Sequence, residues 1–324
     1  MNRDIKLDIL RSISIFAVVL IHVVSIIDTQ KNFETYYWST LILTIFNESL
    51  FWCVPVFFML SGSLLLAKSD ESMHNFYKKR ISKILVPTLF WSAFFLTYLA
   101  IYKDFTIFNI FGAILKGKPF YHLWFMYAII GLYLFTPFLR ILLTNLTKKQ
   151  INIFLILIFV FTFANNYIGN YFHNQGNIFS LFFTYIGYFI LGHALYQNKN
   201  YFINHNNLYI ISFVISTVIF SIISISIHTI PIIAYYTPFI AFESILLFLY
   251  IITSTNKIKF PHIWIKLSTL SFGVYLIHPL FILFIPNLKM ENLVYIPFLF
   301  LLIIIASYTT VYILKKIKYL KNIV

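Results

Sequence analysis

The sequence predicts an all-α, polytopic membrane protein, and three observations support this class. Hydrophobic residues make up 60% of the 324 residues, and charged residues only 10%, against about 25% in a typical soluble domain. The apolar runs are long and continuous, which favours membrane-spanning helices over the alternating strands of a β-barrel. A soluble enzyme and a disordered chain are excluded, because both need far more polar surface.

About ten segments are long enough to cross a bilayer, which takes roughly 20 apolar residues. They lie near 7–27, 41–67, 84–102, 120–143, 151–168, 178–197, 208–227, 232–253, 267–287 and 293–314. The first segment contains Arg11 and His22 and is not followed by a small-residue cleavage site, so it is predicted to be a span rather than a signal peptide. The loops are short, and we expect one integral-membrane domain over residues 1–324 with no appended soluble domain.

The basic residues predict the orientation of these spans. The chain carries 24 Lys and Arg residues against 10 Asp and Glu, a net charge of +14. With ten spans and both termini in the cytoplasm, 19 of the 24 bases fall on the inner side and 5 on the outer side, as the positive-inside rule requires. The charge therefore indicates membrane orientation, and no nucleic-acid partner is expected. The single cysteine, Cys53, allows no intrachain disulfide or thiolate metal site.

Five ionisable side chains fall inside predicted spans: Arg11, His22, Glu48, Glu243 and His278. Each costs roughly 2.5–3.5 kcal/mol to insert when charged, so such residues are functional candidates. Arg11 and His22 are separated by eleven residues of helix, a rotation only about 20° past three full turns, and therefore share one face. Asp8 lies three residues before Arg11 and can pair with it on that face.

His22 and Glu48 are expected at similar depth in adjacent spans, where the carboxylate would orient the imidazole and raise its basicity. The alternatives are structural. His22 would then only hydrogen-bond a neighbouring helix, Arg11 would anchor the helix at the interface, and Glu48 would satisfy a buried backbone group.

A basic cluster of Lys78, Lys79, Arg80 and Lys83 precedes the third span. It is either a topology signal that also attracts anionic membrane lipid, or a docking site for a phosphorylated cytosolic ligand. The chain has no glycine-rich P-loop and no H-E-x-x-H spacing. Neither an NTP-driven pump nor a metal site is therefore predicted.

Six motifs occur in order along nearly the whole chain. They are LDILRSISIFAVVLIHV, VPVFFMLSGSLLL, YKKRISKILVP, FYHLWFMYAIIGLYLFTP, YIGYFILGHAL and LSFGVYLIHPL. Together they resemble the membrane acyltransferase-3 family, the O-acyltransferases of bacterial surface glycans. Within that family the chain is similar to the short O-acetyltransferases of enterobacterial-common-antigen type.

The resemblance implies acetyl-CoA as acyl donor, no permanently bound cofactor, and a hydroxyl of a glycan or lipid-linked saccharide as acceptor, at the bacterial cytoplasmic membrane. It implies that Arg11 and His22 are essential and that the basic segment, with Lys78, Lys79, Arg80 and Lys83, faces the donor. Two positions depart from the family: its Arg-x-x-Arg is Arg80-x-x-Lys83 here, and the Tyr after Leu-Ser-Gly is Ser63.

The residues agree with this chemistry. His22 suits a general base that removes the proton of a sugar hydroxyl, and transient acylation of His22 is the alternative route. Acceptor contacts are expected from His122 and Trp124 near the outer mouth, and from Tyr275 and His278. The competing function is a transporter or flippase of lipid-linked glycans, which would share the spans and the intramembrane charges but would not need acetyl-CoA.

Overall fold

The computed structural model describes residues 3–26, 37–67, 71–172, 176–226, 234–285 and 294–324, and over these ranges every regular element is a helix. The α-helices are α1 Ile5–Val24, α2 Tyr37–Glu48, α3 Cys53–Leu65, α4 Met73–Tyr102, α5 Ile107–Leu115, α6 Trp124–Asn145, α7 Lys148–Tyr171, α8 Phe183–Gln197, α9 Asn206–Ser226, α10 Pro238–Thr253, α11 Pro261–Ile282 and α12 Ile296–Lys316. A 3-10 helix, Lys199–His205, leads into α9.

The polytopic all-α membrane fold is confirmed. Among the described residues, eight helical segments are long and apolar enough to cross a bilayer. Two further predicted spans correspond to shorter helices, α8 with 15 residues and α10 with 16 residues. The count of ten and the cytoplasmic placement of both termini stay predictions.

The chain divides into two compact units, residues 1–57 with 198–318 and 324, and residues 58–197 with 319–323. In the first unit, α1 packs on α11. Arg11 contacts Ser268, and eleven residues later His22 contacts His278. Since the contacts advance in the same direction along both helices, α1 and α11 run parallel, as two odd-numbered spans should.

The α9–α10 pair of the first unit is antiparallel. Asn206 at the start of α9 donates to the carbonyl of Tyr250 near the end of α10, and Phe220 meets Phe239 at the opposite end. This direction is the one expected for consecutive spans joined by a short loop.

In the second unit α4 and α6 are antiparallel, because Phe76 lies under Arg140 while Ser92 bonds Tyr127. Helices α3 and α8 approach each other backbone to backbone. A Cβ on Gly62 would overlap the carbonyl oxygen of Phe189, and a Cβ on Gly192 would overlap the carbonyl oxygen of Met59. Small residues allow this close approach between helices in membranes.

The second predicted span is not one continuous helix. Helix α2 ends at Glu48 and α3 begins at Cys53, and the residues between them form tight turns. The amides of Leu50 and Phe51 bond the carbonyls of Asn47 and Glu48, each at 3.1 Å. Irregular backbone at membrane depth is tolerated only where protein or a water-filled cavity surrounds it, so we expect Glu48 to face protein or such a cavity rather than lipid.

Candidate active site

The centre of the first unit holds two stacked imidazoles. The rings of His22 on α1 and His278 on α11 have centroids 5.3 Å apart and planes inclined by 21°. His278 is fully buried, whereas His22 is half-buried. His22 is therefore the more exposed member of the pair.

A backbone bond fixes the ring of His278. Its Nδ1 lies 3.1 Å from the carbonyl oxygen of Val274, one turn earlier on α11. A carbonyl oxygen only accepts, so the bond assigns the proton to Nδ1 and leaves Nε2 as the basic atom of the neutral ring. The buried ring of Tyr275 lies 6.1 Å from His278. Tyr275 and His278, both predicted to bind acceptor, thus belong to the histidine site; their acceptor role stays a prediction.

Arg11 lies on the same helix as His22 but at a different depth, about 16 Å away along the axis. Its Nη1 donates to Oγ of Ser268 at 3.3 Å. Asp8, expected to pair with Arg11, accepts two bonds from Arg3, at 2.7 Å to Nε and 2.9 Å to Nη2. Arg3 also reaches the hydroxyl of Thr269 on α11, so this ion pair ties the start of α1 to α11.

Glu48 ends α2, and its Oε1 accepts a hydrogen bond from the hydroxyl of Ser224 on α9 at 2.9 Å. The predicted His22–Glu48 pair stays a prediction. A second intramembrane acid, Glu243 on α10, is 1% exposed. Glu243 was visible in the sequence as an acid within an apolar span but was not included in the predicted catalytic set.

The basic segment lies on the first turns of α4. Lys78, Lys79 and Lys83 are exposed there and Arg80 is half-buried. Helix α4 has 30 residues, about 10 more than a bilayer needs. Because the predicted span begins near residue 84, we expect the first two or three turns to lie outside the hydrocarbon core, at the level of lipid head groups, where cations are stable.

Arg140 adds a further cation to this segment. Its guanidinium lies 4.7 Å over the ring of Phe76, its Nε donates to the carbonyl of Leu65 at 2.8 Å, and its Nη2 lies 3.5 Å from Oε2 of Glu71. Lys79 is 3.5 Å from the other oxygen of Glu71. In the sequence, Arg140 indicates only the orientation of its span in the membrane. Glu71 lies 69 residues away, so no sequence pattern predicts that the two side chains form an ion pair.

His122 and Trp124 lie at the start of α6 in the second unit. His122 is 2% exposed, and its ring packs edge-on against Phe95 and Phe120. The Trp124 ring is half-buried, with its centroid 5.2 Å from that of Tyr185. Trp124 is thus the more accessible of the two for a sugar, and acceptor binding by both stays a prediction.

An open cavity of about 440 Å³ lies in the first unit beside the start of α11. Its lining includes Lys6, Lys257, Lys259, Phe260 and Trp264. Phe260 has a φ of 52°, a strained backbone conformation that is rare for an aromatic residue. The described residues contain no group of three or more His, Cys, Asp or Glu side chains placed to hold a metal ion.

Comparison with known proteins identifies the family. No curated protein and no solved structure matches the chain. A family model described as an acyltransferase domain matches residues 4–313, a range that includes the stacked histidines, Arg11 and the basic segment. The chain therefore belongs to the acyltransferase-3 family and is a multi-pass membrane acyltransferase.

Proposed function

We propose that the protein transfers an acetyl group from acetyl-CoA to a hydroxyl of a surface polysaccharide or lipid-linked glycan at the bacterial cytoplasmic membrane. The observation that carries the proposal is the His22–His278 pair: a half-buried imidazole supported by a buried one, within a membrane acyltransferase. The motif pattern of the short enterobacterial-common-antigen type supports the glycan acceptor.

In the proposed reaction His22 is the general base. The acceptor oxygen attacks the thioester carbon as the imidazole takes the hydroxyl proton; the carbon–sulfur bond breaks, and the CoA thiolate leaves and takes that proton from His22. In the second route a ring nitrogen of His22 attacks the thioester carbon, the carbon–sulfur bond breaks and the CoA thiolate leaves. The acceptor hydroxyl then attacks the acyl-imidazole, the carbon–nitrogen bond breaks to regenerate His22, and the hydroxyl proton passes to the thiolate. His278, stacked on His22 and bonded through Nδ1 to Val274, holds the reacting ring in one orientation.

The donor is proposed to approach from the cytoplasm. CoA is polyanionic, and Lys78, Lys79, Arg80 and Lys83 present a basic surface at the start of α4. Arg11 lies about 16 Å from His22 along the helix axis. At that distance it cannot contact the reacting carbon while His22 acts as the base. Its proposed role is electrostatic attraction of the donor. Glu48 is proposed to orient the imidazole.

The proposal is tested with purified protein in neutral-lipid nanodiscs. The assay measures transfer of the labelled acetyl group from radiolabelled acetyl-CoA to candidate lipid-linked saccharides. We expect acceptor-dependent incorporation of label and release of free CoA, both lost in His22→Ala. Glycan movement across vesicles that needs no acetyl-CoA would instead indicate a flippase, a function that the family assignment does not support.

A further inference from the structure

Arg140 is a buried cation with unused hydrogen-bonding capacity. Its side chain is 6% exposed. Nε bonds the Leu65 carbonyl at the end of α3, while Nη1 is buried and has no acceptor among the described residues. A buried guanidinium N–H without an acceptor destabilises the folded protein, so an acceptor at Nη1 would be favourable.

Arg80 shows the same feature. Its Nε is buried and has no acceptor in the described part of the chain. The charges of Lys79, Arg140 and Arg80 together overcome burial and lower the pKa of Glu71. Three cations therefore act on a single carboxylate, which leaves the cluster with excess positive charge.

Glu71 satisfies these cations poorly. Both ion-pair distances, to Lys79 and to Arg140, are 3.5 Å, whereas a strong charge-assisted bond is 2.7–2.9 Å. A carboxylate offers two oxygens and one negative charge. A phosphate monoester offers three oxygens and up to two charges, and planar guanidinium groups match its geometry.

We propose that Arg140 joins Arg80 of the basic segment in binding the nucleotide phosphates of the acyl donor, and that Glu71 competes for the same cations. The identity of the ligand rests on the proposed function, since acyl-CoA supplies these phosphates. The site joins the end of α3, the start of α4 and the end of α6, all within the second unit. Arg140 is thereby a donor-binding residue rather than only a topology signal.

A purely structural role for Arg140 predicts something different. If it only caps α3 and pairs with Glu71, then Arg140→Lys and Glu71→Gln both loosen the same contact, and both should weaken ligand binding or leave it unchanged. If phosphate and Glu71 compete, the two substitutions act in opposite directions. Loss of the guanidinium weakens binding, and loss of the carboxylate strengthens it.

The test is calorimetric titration of the full-length protein with CoA and with adenosine 3′,5′-bisphosphate, in nanodiscs of neutral lipid and in nanodiscs containing phosphatidylglycerol. We expect Arg140→Lys to weaken binding of both nucleotides about 10-fold or more, the value of a charge-assisted hydrogen bond. Glu71→Gln should tighten it severalfold. Lys149→Ala, which removes an exposed lysine at the start of α7, should bind as the wild type does.

Unchanged CoA affinity in Arg140→Lys, or weaker binding in a Glu71→Gln protein that is still fully folded at the titration temperature, would overturn the proposal. If Arg140→Lys changes nucleotide affinity only in nanodiscs that contain phosphatidylglycerol, the site binds lipid phosphate and the donor assignment is overturned. Wild-type protein that binds CoA through Arg140 but transfers no acetyl group would reject the proposed function and leave the site standing.

Discussion

The imidazole of His22 stacks on that of His278 at 5.3 Å, joining two helices from opposite ends of the chain. His22 is half-buried, and His278 has no exposed surface. The pair thus combines an accessible group with a fixed support, so the two histidines should contribute unequally and not additively to the reaction.

We first predict that His22→Ala lowers kcat for acetyl transfer by at least about 10²-fold, the lower end of the range for a lost general base. His278→Ala should lower kcat less, because it removes only the support. In the double variant the loss should be close to that of His22→Ala alone, since residues that act as a unit are not additive. Steady-state rates at matched expression measure this. Near-normal transfer by His22→Ala would make His278 the candidate base.

The second prediction concerns the contact of α3 with α8. Gly62→Ala and Gly192→Ala each place a Cβ on a backbone carbonyl of the facing helix, and backbone yields less than a side chain. We expect each variant to lose at least about 1–3 kcal/mol of stability, as overpacked sites do, with lower folded yield and melting temperature in detergent.

A matched control for this contact lies in α5. A Cβ on Gly112 would have no heavy atom within 4 Å, and alanine is favoured over glycine in a helix by about 0.5–1 kcal/mol. Gly112→Ala should therefore melt at the same or a higher temperature. If all three variants behave alike, the α3–α8 contact is not what limits stability.

The third prediction is a pH dependence of the Glu71 ion pairs. The nearby cations hold the pKa of Glu71 below its ordinary value of 4.5. A depressed acid pKa stabilises the folded protein above pH 4.5, and this contribution disappears as the pH falls through the lowered pKa. At pH 7, Glu71→Gln should therefore lower the free energy of unfolding by on the order of 1 kcal/mol, and the variant should melt at a lower temperature than the wild type. This difference in stability should shrink on acidification. A pH-independent difference would mean that the charge of Glu71 is not its source.

The fourth prediction is the topology. With ten spans and both termini inside, reporter fusions after Lys149 and after Val324 should report a cytoplasmic location, and a fusion after Lys116 should report the outside. The parallel packing of α1 with α11 requires an even number of crossings between the starts of those two helices. A cytoplasmic signal from the reporter after Lys116 would contradict the predicted alternation of inner and outer loops.

The membrane fold could be predicted from sequence because hydrophobic length alone determines which segments can span a bilayer. The shared face of Arg11 and His22 follows equally from helix geometry. The stacking of His22 on His278 could not be predicted in this way, because lipid and leucine are equally apolar and hydropathy does not specify which spans are neighbours. In the folded protein, close helix–helix contacts such as those at Gly62 and Gly192 determine which helices are neighbours.

The Arg140–Glu71 contact was missed for a related reason. Arg140 had an adequate explanation as an inner-side base, and Glu71 lies between two spans where acids are common. Only the packing of α4 against α6 brings these residues together beside Arg80. The ion pair of Asp8 is a similar case. Its partner Arg3 precedes the first residue of α1, and the spacing rule for residues within a helix does not apply to a residue outside it.

The break between Glu48 and Cys53 has a consequence for biosynthesis. Hydropathy presents residues 42–65 to the insertion machinery as one apolar segment, yet the finished protein contains two shorter helices there. A helix of 12 residues is about 18 Å long and cannot cross the bilayer alone. We therefore expect the segment to enter the membrane as a single unit, and the break to form only after α9 has been synthesised and Ser224 can bond Glu48. Chains truncated before α9 should consequently be anchored in the membrane with residues 42–65 as one continuous helix.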